Sequence, residues 1–361
     1  MADALKEMFN KKFYERLAVE FNKAHKHFNS EKFVKEVTKD LTSLTLIQRM
    51  RNTNLVLKNH LPTDFKKSVN ILYEVAPKFK SHFTSFVFPD YIGLYGHHDF
   101  EMSMDALKYF TPFGSSEFAI REFLKRDFNK TIKVMNKWAE DSDHHVRRLA
   151  SEGSRARLPW SFNLEDVMKN PSATKSILEK LKTDEELYVK KSVANHLNDF
   201  SKHHSDYLLN TINGWDKTNI HTAWIIKHAS RTLIKNGHSG ALTVFDFEKN
   251  VKVKIESFNL KKSKIKLGET LTFTFNLISE KSSAQKLVID YAIHYSKQSG
   301  ELSRKVFKLK EATLQPKEKL HISKSQRFMN FTTRKHYAGK HVVEILINGK
   351  SFLKKEFYLE L

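Results

Sequence analysis

The sequence predicts a two-part chain, an all-α helical-repeat domain followed by an antiparallel β-sandwich. Three observations predict it. Apolar residues recur at three- and four-residue steps through the first two thirds. They alternate with polar residues after about residue 250. The helical part also carries a weak internal repeat.

The helical periodicity starts near the beginning. Leu5, Met8, Phe9 and Phe13 fall on one helical stripe, as do Val69, Leu72, Tyr73 and Ala76. Pro62, Pro77, Pro89 and Pro112 punctuate the first third. The stretch from Phe86 to His98, with Pro89, Gly93 and Gly96, reads as an irregular connection.

The repeat is carried by Val146-Arg147-Arg148-Leu149-Ala150-Ser151, Val189-Lys190-Lys191-Ser192-Val193-Ala194 and Trp224-Ile225-Ile226-Lys227-His228-Ala229. Each ends in a small residue that permits close helix packing, and the first residues are 43 and 35 apart. An amphipathic stretch precedes each one: Phe128 to Trp138, Ile177 to Leu181, and Tyr207 to Ile212. Paired helices at that spacing suit HEAT-like repeats, which stack into a curved solenoid with a concave binding face.

Beyond residue 250, Val251, Val253 and Ile255 alternate with lysines, and Leu271, Phe273 and Phe275 alternate with polar residues. Val288, Asp290, Ala292 and His294 face away from Ile289, Tyr291, Ile293 and Tyr295. Val342, Glu344 and Leu346 alternate with Val343, Ile345 and Ile347 and lead into Asn348-Gly349, a two-residue hairpin signal. Several short strands in about 110 residues predict an immunoglobulin-like antiparallel β-sandwich. The expected boundaries are 1–245 for the helical domain and 250–361 for the sandwich.

Composition narrows the function. The 361 residues carry a net charge of +21, with a basic excess that attracts polyanions. From Val251 onward there are about 23 Lys and Arg against about 10 Asp and Glu, so the smaller domain has the stronger claim on a phosphate backbone. Cysteine is absent, which excludes disulfides and thiol catalysis. No run of about 18 apolar residues is present, so no membrane partner is expected. The N-terminus lacks a signal-peptide pattern, and a cytoplasmic location is the simple expectation.

Within the repeat, Arg147 and Arg148, then Lys190 and Lys191, then Lys227 form a basic stripe suited to the DNA backbone. Arg155, Arg157 and Trp160 make a second cluster whose arginine forks suit phosphate. A solvated helix surface is the plain alternative for any one of these. Three carboxylates stand out. Glu152 lies six places into its segment and Asp199 ten places into the next, a difference of about 40° around the helix axis, so both can face one side. Glu117 opens a helix after Gly114-Ser115-Ser116. Pairing of Glu152 with Arg148 or Arg155, or a favourable helix-terminus charge at Glu117, would account for those two without chemistry.

The pairs His97-His98, His144-His145 and His203-His204 point in different directions on a helix, and no metal site is expected from them. No Gly-rich phosphate loop follows a strand, so no nucleotide cofactor is expected.

These residues resemble a known family. Leu5-Lys6-Glu7-Met8-Phe9, Phe28-Asn29-Ser30-Glu31-Lys32-Phe33, Leu61-Pro62, Ser116-Glu117-Phe118-Ala119-Ile120-Arg121, Val146 through Trp160, and Val193 through Asp199 carry the resemblance. Residues 1–240 are similar to the AlkC and AlkD family of HEAT-like-repeat alkylpurine DNA glycosylases, closest to the AlkC branch, which has an immunoglobulin-like C-terminal domain.

The resemblance implies base excision repair: hydrolysis of the N-glycosidic bond of N3-methyladenine and N3-methylcytosine in duplex DNA, by a monomer, without flipping the base into a pocket. It implies active-site roles for Glu117, Glu152 and Asp199, with Trp160 lining the site. It also implies that the C-terminal domain helps grip DNA. The alternative is a non-catalytic helical-repeat scaffold that only binds DNA.

Overall fold

The computed structural model describes residues 5–79, 83–331 and 334–361. The chain divides into two compact units, Met1–Ala229 and Ser230–Leu361. The division falls earlier than the change in patterning near residue 250, because Leu242 and Phe247, with Ile234 and Phe245, pack on Val288 of the sandwich. Among the described residues, no helix is long and apolar enough to cross a membrane.

Among the described residues the first unit is built from helices alone. Its helices are α1 (Lys11–Ala24), α2 (Ser30–Thr38), α3 (Leu46–His60), α4 (Phe65–Val75), α5 (Val87–Tyr95), α6 (Phe100–Phe110) and α7 (Ala119–Arg126), followed by α8 (Phe128–Trp138) and α9 (His144–Gly153). Then come α10 (Glu165–Lys169), α11 (Lys175–Leu181), α12 (Leu187–Asp199), α13 (Ser205–Asn213) and α14 (Ile220–Ala229). Asn10, Asn29, Asp64, Asp99, Asp127 and Asp143 each precede a helix, and their side chains accept first-turn amides.

The repeat segments lie on α9, α12 and α14, which stack in that order. Their small residues Ser151, Ala194 and Ala229 are buried in this stack. Helices α8, α11 and α13 are the amphipathic stretches that precede them in sequence.

One expectation is corrected. The stretch from Phe86 to His98 is not irregular: residues 87–95 form α5. Pro89 sits in the first turn, where its missing amide would have had no helical acceptor. Gly93 is there for packing, since a Cβ would lie 3.1 Å from Ala119 Cα at the start of α7.

The second unit begins with α15 (Arg231–Lys235) and α16 (Ser239–Val244). Its strands are β1 (Val253–Leu260), β2 (Lys264–Lys266), β3 (Thr270–Ser279), β4 (Gln285–Ser296), β5 (Leu302–Leu314), β6 (Lys319–Arg327), β7 (Gly339–Ile347) and β8 (Lys350–Glu360). A three-stranded sheet in the order β1-β3-β6 faces a five-stranded sheet in the order β2-β8-β7-β4-β5. All pairings are antiparallel except β2 with β8.

Between the sheets lie Leu271, Phe273, Phe275, Ile289, Tyr291, Ile293, Val343 and Ile345, the inward sets expected from alternation. In β1 the alternation breaks at a bulge between Glu256 and Asn259, where Ser257 takes φ 53°. Asn348 and Gly349, at φ 47° and 76°, form the turn between β7 and β8, both in the left-handed conformation a two-residue hairpin favours. Asn348 also ties the unit together: its Oδ1 accepts from the Val288 amide at 2.6 Å and its Nδ2 donates to the Glu248 carbonyl at 2.7 Å.

Candidate active site

The site is built from the turn before α7 and the C-terminal ends of α9 and α12. Glu117 lies in the turn just before α7, rather than on the helix itself, and the Ser116 carbonyl accepts the Ile120 amide. Glu152 is the penultimate residue of α9 and Asp199 the last residue of α12. Helix α9 packs on α12, and both carboxylates come within reach of the Arg155 guanidinium.

Two arginines join the three carboxylates into one chain. Arg148, a turn before Glu152 on α9, donates through Nη1 to Glu117 Oε2, and its Nη2 lies 3.6 Å from Glu152 Oε1. Arg155 donates through Nη1 to Glu152 Oε1 at 2.7 Å. Its Nε and Nη2 then grip Asp199 Oδ2 and Oδ1, each at 2.9 Å. The order Glu117, Arg148, Glu152, Arg155, Asp199 alternates in charge and leaves three carboxylates against two guanidinium groups.

The surroundings fix each member. Ser115, with φ 138°, donates its hydroxyl to Glu117 Oε2 at 2.8 Å and accepts from Arg148 Nη1 at 2.9 Å. The Arg148 guanidinium also lies 4.6 Å from the centre of the Tyr188 ring. The Arg157 amide approaches Asp199 Oδ2 at 3.4 Å. Burial by itself raises the Glu152 carboxyl, but Arg148 and Arg155 outweigh it and hold Glu152 below its ordinary value. Burial likewise pushes Asp199 up, and the Arg155 fork opposes it. Arg148 and Arg155 are therefore what favours the ionised form of Glu152 in this buried place.

Two cavities flank the chain. One of about 540 Å³ adjoins Glu117 and Arg148 and is walled by Phe83, Phe86, Pro112 and Tyr188. The other, about 140 Å³, adjoins Asp199 with Arg157, Phe200 and His203.

The loop from residue 154 to 164 joins α9 to α10 and carries Arg155, Arg157 and Trp160. Trp160 takes φ 67°, a left-handed conformation uncommon for a bulky residue, and remains half-exposed with its ring edge-on to Phe83. The loop is held from beneath by Arg121 of α7. Arg121 is fully buried and donates to the carbonyls of Gly153 at 3.1 Å, Arg155 at 2.7 Å, and Phe162. Burial lowers its guanidinium to about 10, with Arg155 adding to the effect.

The basic residues read from the sequence separate into two groups. Arg147, Arg148 and Arg155 do not form a solvent-facing stripe. Arg147 is committed to Asp184 at 2.6 Å and to the carbonyls of Asp141 and Ser142, each at 2.9 Å. Arg148 and Arg155 are buried in the carboxylate chain. The physical reason is that a carboxylate this deeply buried needs a charged partner, and these arginines supply it. Lys191 and Lys227 are exposed, and Arg157 is half-exposed. Lys190 is half-buried, its Nζ 3.0 Å from His221 Nδ1.

Sequence reasoning missed Ser115, Arg121 and Tyr188. Arg121 did leave a signal, as a lone charge among Ile120, Phe123 and Leu124 on the buried face of α7. Of the histidine pairs, His144 and His145 come together with Asp143, their ligand atoms within 4.8 Å of one another. Asp143 Oδ1 already accepts the His145 amide there, as the helix cap.

Known proteins are similar to this chain. Residues 109–233 match the family described as DNA alkylation repair enzyme. Residues 254–361 match that described as "Uncharacterised protein YhaZ, C-terminal Ig-like domain", which agrees with the sandwich. The uncharacterized protein YhaZ of Bacillus subtilis (strain 168) is 41% identical over 351 residues, 97% of this chain and 97% of its own. A solved structure of the Pseudomonas fluorescens alkylpurine DNA glycosylase AlkC, bound to DNA containing an abasic site analog, is 46% identical. It covers 99% of each chain with a TM-score of 0.94.

Proposed function

The chain belongs to the AlkC-type branch of the HEAT-like-repeat alkylpurine DNA glycosylase family, and we propose on that footing that it excises alkylated bases from duplex DNA. The substrates are N3-methyladenine and N3-methylcytosine. The protein acts as a monomer in base excision repair. The observation that carries the reading is the chain of three carboxylates and two arginines at the ends of α9 and α12 and in the turn before α7.

The chemistry suits that chain. An N3-alkylated base is already cationic. When its bond to C1′ breaks, the electron pair goes to the base, which leaves neutral without a strong general acid. The deoxyribose gains oxocarbenium character, and a carboxylate held beside C1′ stabilises it. Water then adds to C1′ and gives its proton to a carboxylate. Asp199 and Glu152 supply the main electrostatic stabilisation, and Glu117 assists in placing the water. Because the arginines hold the carboxylates in advance, little reorganisation is needed at the moment of reaction.

Duplex DNA is gripped by Arg157, Lys190, Lys191 and Lys227, with Trp160 beside the lesion. Arg147, Arg148 and Arg155 serve by fixing carboxylates and the turn at 141–142. The damaged base stays largely stacked. The small cavity beside Asp199 supports this, since about 140 Å³ is well below the roughly 300–1,000 Å³ of a ligand pocket. The larger cavity at Glu117, walled by Phe83, Phe86 and Tyr188, favours a second reading in which the base is extruded there. Fluorescence of 2-aminopurine at the target position separates them: unchanged on binding for a stacked base, strongly increased for an extruded one.

The test of function is base release from methylated duplex by the intact protein, by Asp199→Asn and by Glu152→Gln, with duplex binding measured for all three. Release that collapses in the variants while binding persists supports the reading. Salt-sensitive binding with no release by the intact protein turns it to a DNA-binding scaffold.

A further inference from the structure

His196 is fully buried on α12, three residues and about 4.5 Å along the axis before Asp199. Its Nδ1 lies 3.0 Å from the carbonyl oxygen of Ser151, the residue preceding Glu152 on α9. Its Nε2 lies 3.1 Å from Thr174 Oγ1, in the short turn Pro171–Thr174 before α11. A carbonyl can only accept, so Nδ1 carries the proton and Nε2 accepts the threonine hydroxyl. Both ring nitrogens are therefore engaged, and the tautomer is set. Burial, with the positive charge of Arg155 adding to it, pushes the imidazole down to about 3. The ring is thus neutral, and its bonds do not change across the physiological range.

The contact has a structural logic. Ser151 is in the last turn of α9, whose carbonyls lack amide partners from their own helix, and its oxygen accepts from the Ser154 hydroxyl at 3.2 Å as well. His196 supplies a donor from the neighbouring helix, within one residue of Glu152 and one turn of Asp199. Arg155 also bridges the two carboxylates, but through a long side chain rooted in a loop, which can follow a small slip between the helices. An imidazole has only two side-chain torsions and is bonded to a backbone atom, so it cannot follow such a slip.

We propose that His196 is a positioning residue that sets the separation and register of α9 against α12, and thereby the alignment of Glu152 with Asp199. The inference rests on the glycosylase reading of that pair.

The test uses the full chain and compares two amides. In His196→Asn the side-chain amide can replace Nδ1 and keep the bond to Ser151. In His196→Gln it reaches the Nε2 position and loses that bond. Both bury an amide, so any general cost of the substitution is common to them. Single-turnover base release from methylated duplex, affinity for duplex carrying an abasic-site analogue, and the melting temperature are read for each. The expected result is release within about threefold of the intact protein for His196→Asn and at least tenfold slower for His196→Gln, with duplex affinity little changed in either.

Equal rates in the two variants, or a loss confined to affinity, overturn the proposal. If neither variant folds, Thr174→Val decides it by freeing Nε2 alone: severalfold slower release with unchanged affinity supports the role, and unchanged release overturns it. No release by the intact protein overturns the glycosylase reading itself, and this inference with it.

Discussion

Arg155 holds Asp199 with two arms of one guanidinium, Nε to Oδ2 and Nη2 to Oδ1, each at 2.9 Å, while its third nitrogen reaches Glu152. The pair spans α12 and the loop after α9, so the geometry of the site depends on the planar fork as well as on its charge.

Arg155→Lys keeps the charge and removes the fork. Base release is expected to fall by tenfold or more with the fold retained. In the proposed reaction Asp199 acts as an anion, and burial already raises its pKa against the opposition of Arg155. Weakening that opposition raises it further. The acid limb of the pH–rate profile therefore moves to higher pH in the variant, and an unshifted limb would sink this assignment.

Trp160 contributes little to the core, since it is 51% exposed, yet it is held at φ 67°. Trp160→Ala is expected to weaken duplex binding or slow release severalfold while changing unfolding free energy by less than about 1 kcal/mol. Denaturant titration beside a binding isotherm checks both halves. A large stability loss with normal activity would make Trp160 a packing residue.

Two buried carboxylates in the second unit should respond oppositely to pH. Burial raises Asp290 to about 6, with Lys235 and Lys308 opposing it. The folded state then binds its proton more tightly than the unfolded chain, so ionised Asp290 costs stability above pH 6, and the cost fades as pH falls toward 4. Asp290→Asn is expected to stabilise the unit at pH 8 by up to about 3 kcal/mol and to have little effect at pH 4.

Glu344 is the converse. Burial opposes its charge, but Arg304 and His294, each at 2.8 Å, help hold it down to about 2. Its contribution is full above about pH 4.5 and is lost as pH falls toward 2, so Glu344→Gln should destabilise at pH 7 and converge with the parent chain near pH 2. Denaturant unfolding across this range reads both residues.

Gly349 tests close packing against turn conformation. A Cβ there would meet the Gly237 nitrogen at 2.3 Å, in a residue already at φ 76°. Gly349→Ala should cost about 2–3 kcal/mol. Gly300 has a similar φ of 81° but open space around it, so Gly300→Ala should cost only about 1 kcal/mol. Equal losses in thermal unfolding would leave the contact with Gly237 without weight.

The succession of a helical repeat and a β-sandwich was legible because burial imposes a period. Residues 271–277 and 289–295 had to alternate to fill a space between two sheets, and the segments on α9, α12 and α14 had to place small residues where inner helices touch. Asn348-Gly349 was legible because few pairs adopt two left-handed residues in succession. The helix at 87–95 was not, since Pro89 and Gly93 look like breakers until their places in the first turn and against Ala119 are known.

The sequence by itself determined which residues could carry the chemistry: three carboxylates at helix ends, beside arginines, in a chain with a strong basic excess. Only the tertiary structure decided what those arginines do. Glu117, Glu152 and Asp199 stand 35 and 47 residues apart in sequence; helix spacing pairs Glu152 with Arg148 and Arg155, but no local rule brings Arg148 to Glu117 or Arg155 to Asp199. The packing of α9 on α12 removes Glu152 and Asp199 from water together. Once buried, each carboxylate must be paired or protonated, and so Arg148 and Arg155 turn inward and complete the site.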